Sequence, residues 1–164
     1  MATLTHIETK LAEVAGLATA AAAAADVVGK LVSDSEAELQ QTLQRMRDEA
    51  RQTRARCDDV VSRFDGKKTA IRDQARDTKL KAADMLAIYL DDEADSLDGM
   101  EFLMMAEAGE VGHWVVLREL SSTAGDASIA ALIEWALPIQ QRHLRDVTDA
   151  AVHLAAKEDP VATP

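Results

Sequence analysis

The chain has 164 residues, 29 of them acidic and 18 basic, for a formal charge of −11. That balance opposes binding to nucleic-acid backbones and anionic membrane surfaces, and an aromatic content of 3% leaves no base-stacking platform. A single cysteine, Cys57, excludes an internal disulfide framework and fits a reducing cytoplasm.

The elements read as helices throughout, because apolar residues recur at the alternating three and four spacing that keeps one helix face buried. The first helix, roughly 4 to 31, carries Ile7, Leu11, Val14, Ala18, Ala21, Ala25, Val28 and Val32 on one seam. Its start, with His6, Glu8 and Lys10 before an alanine run, lacks the core and cleavage context of a signal peptide. No run reaches about 18 consecutive apolar residues, so no membrane span is expected. Ser33, Asp34 and Ser35 are expected to end this helix and to cap the next, roughly 36 to 64, with the seam Leu39, Leu43, Met46, Ala50, Thr53, Cys57, Val60 and Phe64. Asp65-Gly66 stops it.

A shorter helix from about 69 to 90 follows, striped by Ile71, Ala75, Ala82, Leu86 and Tyr89. The basic positions Lys67, Lys68, Arg72, Arg76, Lys79 and Lys81 alternate with Asp73 and Asp77, the pattern of a solvated face. The acidic stretch Asp91 to Gly99 has Ala94 where a calcium loop opens with Asp, so the EF-hand pattern fails. Two long helices complete the chain, roughly 98 to 123 and 127 to 157, with Gly125 at their turn and Pro138 inside the second, where a kink is expected. The architecture expected is all-α: one domain over 1–157, an antiparallel four-helix bundle with an additional helix in its long crossover, and a disordered tail over 158–164.

Polar residues interrupt both of the last two seams. Glu107 and Glu110 are spaced i, i+3, as are Gln140 and His143, and each pair lies about fifteen residues from Gly125. Equal distance from the turn of an antiparallel hairpin means equal height, so the four side chains should meet in the core. Bundles use such a meeting to hold a metal, since an isolated buried carboxylate is costly. A satisfied polar network, with His143 protonated and paired to a glutamate, is the other reading. His113 adds an E-x-x-H spacing after Glu110, one step off the seam, as a further ligand or a helix-interface histidine.

A di-metal bundle centre wants a glutamate from each of two helices and an E-x-x-H from each of the other two. The first helix offers only Ala18, Ala21 and Ala25 at mid-seam, and the second offers Thr53 and Cys57, with Glu49 off the seam. Half of the ligand set is missing. Arg54 and Cys57 are expected to face the site, with Arg54 reaching inward to replace a metal's charge beside Glu107 or Glu110, and Cys57 as a thiolate ligand or a small buried apolar group.

The stretch Glu107-Ala-Gly-Glu110-Val-Gly-His113-Trp114, then Leu117 and Leu120, then Gly125-Asp126 and the run Ile129 to Leu144, resembles the YciF-like ferritin-like proteins of bacteria, described as stress-associated and without an assigned activity. Arg54 to Asp59 followed by Phe64-Asp65-Gly66 resembles the end of that family's second helix, so the likeness covers roughly two-thirds of the chain. It implies a ferritin-like fold, places Glu107 and Glu110 on acidic positions around the family's metal centre, and places Trp114 on its tyrosine. Gln140 stands where the family has a ligand glutamate, and Arg54 and Cys57 stand where it has glutamate and histidine. The expectations are therefore a ferritin-like protein of structural or stress-related role with a degenerate metal site, or a metal-dependent oxidoreductase or iron-handling protein using one iron, manganese or zinc ion. No cofactor or one such ion is expected, in a cytoplasmic homo-oligomer, by default a dimer, with no nucleic acid or membrane partner and no substrate written in the sequence.

Overall fold

The computed structural model describes residues 2–162, which form five α-helices: α1 (His6–Leu31), α2 (Ala37–Val61), α3 (Lys68–Tyr89), α4 (Ser96–Ala124) and α5 (Ala127–Ala155). Helix α1 starts in a capping box, with Thr5 N donating to Glu8 Oε2 at 2.7 Å and Glu8 N donating to Thr5 Oγ1 at 3.4 Å. Lys67 donates to both oxygens of the same glutamate at 2.9 and 3.0 Å, which pins the α2–α3 connection to the start of α1. Helix α4 opens with a second capping box, Asp95 with Asp98, two residues earlier than the seam alone suggested. It closes at Gly125, whose φ of +70° is the left-handed conformation glycine adopts without a Cβ clash.

Helix α1 lies against α2, α3 and α4, while α5 lies against α4 and α2. The hairpins α1–α2 and α4–α5 thus face each other, and α3 connects them along the outer side of α1, where only its Ile71 and Ala75 are buried. Two apolar clusters fill the interior. One contains Leu11, Ile71, Trp114, Leu117 and Ile133; the other contains Val28, Met46, Leu103, Val147 and Leu154. Along α4, Glu107 and Glu110 fall between Leu103 of one cluster and Trp114 of the other, and along α5, Gln140 and His143 fall between Leu137 and Val147. A polar layer therefore separates two apolar ones.

Some expectations change. Ser33, Asp34 and Ser35 do not cap α2: the Ser33 and Ser35 hydroxyls bond each other at 2.9 Å, and the N-cap of α2 is Glu36, which makes no side-chain cap bond. Gln40 closes that corner instead, donating to the carbonyls of Gly29 and Val32 at 2.9 and 2.8 Å, which satisfies acceptors left open at the end of α1. Helix α2 ends at Val61 rather than Phe64, with turns carrying the chain to Gly66 at φ +75°. Pro138 lies inside α5, which continues as helix on both sides of it. Of the tail, residues 158–162 are exposed turns, and 163 and 164 lie outside the described residues. By length and composition α1 is apolar enough to cross a membrane, with a mean hydropathy of 1.6 over its most apolar stretch, because alanine counts as apolar even where no unbroken run exists. It is also the helix that the others surround, and 56% of that stretch is buried against protein.

Helices α1 and α3 approach each other closely at Gly16. A Cβ added at Gly16 would stand 2.4 Å from the Ala75 carbonyl oxygen and 2.8 Å from Thr78 Cβ, so the glycine is what lets α3 lie so near. Gly16→Ala is expected to lower stability by about 1–3 kcal/mol because backbone must move. Gly112→Ala, where a Cβ meets nothing within 4 Å, is expected to raise it by about 0.5–1 kcal/mol through helix propensity. Urea unfolding midpoints of the two variants, shifted in opposite directions, check both.

Candidate functional site

Helix α4 presents Glu107 and Glu110 one turn apart, α5 presents Gln140 and His143 in the same way, and all four are buried. The Gln140 amide, oriented by its hydrogen-bond network, donates from Nε2 to Glu107 Oε2 at 3.0 Å and to Glu110 Oε2 at 3.2 Å. His143 stands between two carboxylates: Nε2 is 2.7 Å from Glu49 Oε2, and Nδ1 is 3.7 Å from Glu107 Oε2. Arg142, at the protein's edge, donates from Nη2 to the other oxygen of Glu49 at 2.5 Å.

Burial opposes a charge on His143, but Glu107 and Glu49 on its two nitrogens outweigh it and raise the imidazole above its ordinary value. Burial likewise opposes charge on Glu49, and there His143 and Arg142 prevail and hold the carboxyl below its usual range. Glu110 has no cation. Its burial, reinforced by the charge of Glu107, pushes it well above the usual carboxyl range and keeps it neutral. Two acids, Glu49 and Glu107, then face two cations, His143 and Arg142, and the layer balances without an added charge.

The structure brings Glu107, Glu110, Gln140 and His143 together and leaves other expected residues apart. Arg54 does not reach inward: it pairs with Asp58 at 3.5 Å, one turn along α2, and is about one-third exposed. Its guanidinium finds an acid one turn away at the surface, where it keeps its contact with water. His113 is turned to the α1 interface, with Nδ1 3.1 Å from Glu13 Oε2 and 3.3 Å from Lys10 Nζ. Cys57 is fully buried near Glu110, and burial, prevailing over the opposing charge of Arg54, pushes its thiol up to about 12, so it behaves as an apolar filler rather than a thiolate. The sequence reasoning set Glu49 aside as off the seam. Its signal was present: Glu49 is three residues after Met46 and four before Thr53, on the flank of the buried stripe that turns toward α5.

This donor set does not fit a di-metal centre. A cation needs converging lone pairs, whereas the Gln140 NH2 puts hydrogens between Glu107 and Glu110, and both nitrogens of His143 face carboxylates. Where a bundle centre draws ligands from all four helices, α1 contributes alanine. Among the described residues no group of three or more His, Cys, Asp or Glu is arranged to hold a metal ion. Comparison of the chain with family models, with curated proteins and with solved structures finds no match.

Two predictions follow from the proton positions. His143→Leu leaves Glu49 short of a partner and Glu107 without its nearest cation, and is expected to cost about 3–5 kcal/mol in urea unfolding. The second concerns pH. Glu110 and His143 both hold protons in the folded state that the unfolded chain releases, above about pH 4.3 and about pH 6.5 respectively, so both contributions fade as pH rises through their raised folded values. Glu49 acts in the opposite sense, losing its contribution only as pH falls below about 4.3. The unfolding free energy is expected to fall as pH rises above about 4.3, where the unfolded glutamate gives up its proton, and further above about 6.5 for the histidine, and more shallowly in Glu110→Gln, whose neutral amide has no proton to lose. A variant curve parallel to the parent's overturns the assignment of Glu110 as neutral.

Proposed function

We propose that this chain is a ferritin-like helical-bundle protein of structural or stress-related role, in which a hydrogen-bonded layer of acid, amide and imidazole stands where the fold's di-metal carboxylate centre would lie. One observation carries the reading: the Gln140 amide bridging Glu107 and Glu110, at the height where a bundle of this kind gathers its ligands. The arrangement of the helices supports it, since α1, α2, α5 and α4 neighbour one another in a closed order with α3 as the long crossover. The resemblance of residues from about 50 onward to YciF-like proteins points the same way. Leu80, Met85, Ile88 and Tyr89 on the outer side of α3 are exposed and supply an apolar surface for a homo-oligomer.

The alternative is a non-haem iron or manganese protein holding a single ion between α4 and α5. It requires the Gln140 amide reversed, with its carbonyl oxygen toward the acids, and His143 released from one of its carboxylates. Metal loading separates the two readings. After refilling with Fe(II), Mn(II) or Zn(II), elemental mass spectrometry is expected to find substoichiometric metal, the same in Glu110→Ala as in the parent. The unfolding free energy is expected to stay constant, whereas a site saturated at a hundred times its dissociation constant adds about 2.7 kcal/mol. Stoichiometric metal that disappears in Glu110→Ala overturns the metal-free reading in favour of the alternative.

A further inference from the structure

Helix α3 changes character along its length. Residues 67–81 carry six cations and two acids, whereas residues 82–93 carry four acids and no cation. Residues 82–90 are apolar at every position but Asp84, and a helix apolar all round is ordinarily covered all round. Here α1 covers one side, and the two buried residues of α3, Ile71 and Ala75, both lie in its first half. Leu80 is 53% exposed and Ile88 76%.

An outward seam runs through Arg76, Leu80, Ala83 and Ala87, at the four, three, four spacing that follows one line along a helix, and all four are exposed. Asp91, exposed as well, stands just past the end of α3. The alanines leave room for another helix to come close. Lys67, Arg72 and Arg76 pair within the chain, with Glu8, Asp58 and Asp73, while Lys68, Lys79 and Lys81 have no acid partner among the described residues.

We propose that this seam is the contact with a second copy of the chain, α3 packed antiparallel on α3 about a two-fold axis between Ala83 and Asp84. Such an axis sets Leu80 of each copy against Ala87 of the other and Arg76 against Asp91, and it lays the basic half of each helix along the acidic half of its counterpart. Charge decides the occupant. Two chains of −11 repel each other, so copies can meet only where local charge is complementary, and residues 67–81 gather six of the eighteen cations. An anionic membrane would attract the basic half but meet Asp84 and the acids from Asp91 to Glu93 beside the apolar side chains that have to enter it. One helix per chain is a small contact against the roughly 800 Å² per partner of a standard interface, so association in the micromolar range is expected.

The inference rests on the homo-oligomer of the proposed function and names its contact. The test is sedimentation equilibrium of the full chain from about 1 μM to about 300 μM, a range that brackets micromolar association. The parent is expected to dimerise and Leu80→Asp to stay monomeric. Arg76→Glu and Asp91→Arg are each expected to weaken the dimer about tenfold, and the two together, which exchange the charges across the axis, to restore it. Ala83→Cys, next to the axis, is expected to cross-link to its own copy under mild oxidation. Circular dichroism confirms that each variant is folded before its association is read. A parent that stays monomeric throughout overturns both this contact and the homo-oligomer reading. A dimer that survives Leu80→Asp overturns this contact alone, and a double charge variant that fails to recover what the single ones lose overturns the antiparallel alignment.

Discussion

Three carboxyl groups and one imidazole meet in the middle of a helical core, and charge without a partner there costs several kcal/mol. The register of the α4–α5 hairpin follows from meeting that demand. Glu110 precedes Gly125 by fifteen residues and Gln140 follows it by fifteen; Glu107 precedes it by eighteen and His143 follows it by eighteen. Both pairs of equal distance are found close together, Gln140 with Glu110 and His143 with Glu107, and Gln140 reaches Glu107 as well. A slip of one residue would carry the amide and the imidazole off the buried stripe and leave the acids against apolar side chains. A left-handed glycine at the turn and a polar layer fifteen to eighteen residues away therefore specify the same alignment twice. That agreement between local and long-range preference is what makes a fold unique rather than merely compact.

The opposite hairpin is built on a different economy. Helix α1 is rich in alanine, which forms helix readily but buries little apolar area per residue. Its stability comes from being surrounded and from what holds its ends: the Thr5 and Glu8 capping box clamped by Lys67 at one, and Gln40 on the carbonyls of Gly29 and Val32 at the other. Small side chains have two consequences that depend on position. At Gly16 they let α3 close in until backbone is the nearest neighbour. Further along, from Ala20 to Ala24, the helices stand apart and the same smallness leaves a void.

The sequence carried the helices and the height of the polar layer well, because both depend on periodicity and on distance from a turn. Glu107, Glu110, Gln140 and His143 could be placed together on spacing alone. What spacing does not carry is which flank of a buried stripe turns toward which neighbour. Glu49 and Arg54 lie five residues apart on α2 and both border the seam, yet Glu49 turns to α5 and Arg54 to Asp58. The difference is set by where partners already stand: His143 and Arg142 offered Glu49 two cations, whereas Arg54 had an acid one turn away in water. The caps show the same limit. Ser33, Asp34 and Ser35 have capping chemistry, but the corner is closed by a glutamine further on, since the carbonyls of Gly29 and Val32 needed donors more than the start of α2 needed acceptors. The cavity was not legible at all, because a run of alanine reads as helix propensity and says nothing of how far away the next helix lies.

These features make the polar layer asymmetric in a way that bears on what it can bind. From the α2 and α5 side come every cation and every donor that serves it: Arg142, His143 and Gln140. From the α1 and α3 side comes a mostly apolar lining of alanines with Leu17, Met85 and Leu86 around a cavity. Glu107 belongs to the first side through His143, and Glu110 sits at the boundary, bonded to Gln140 by one oxygen and bordering the void. Its neutrality is the local answer to having no cation, and it is the answer that burial forces when geometry supplies nothing better. A compact metal ion there would have to displace the amide hydrogens that already hold the acids together.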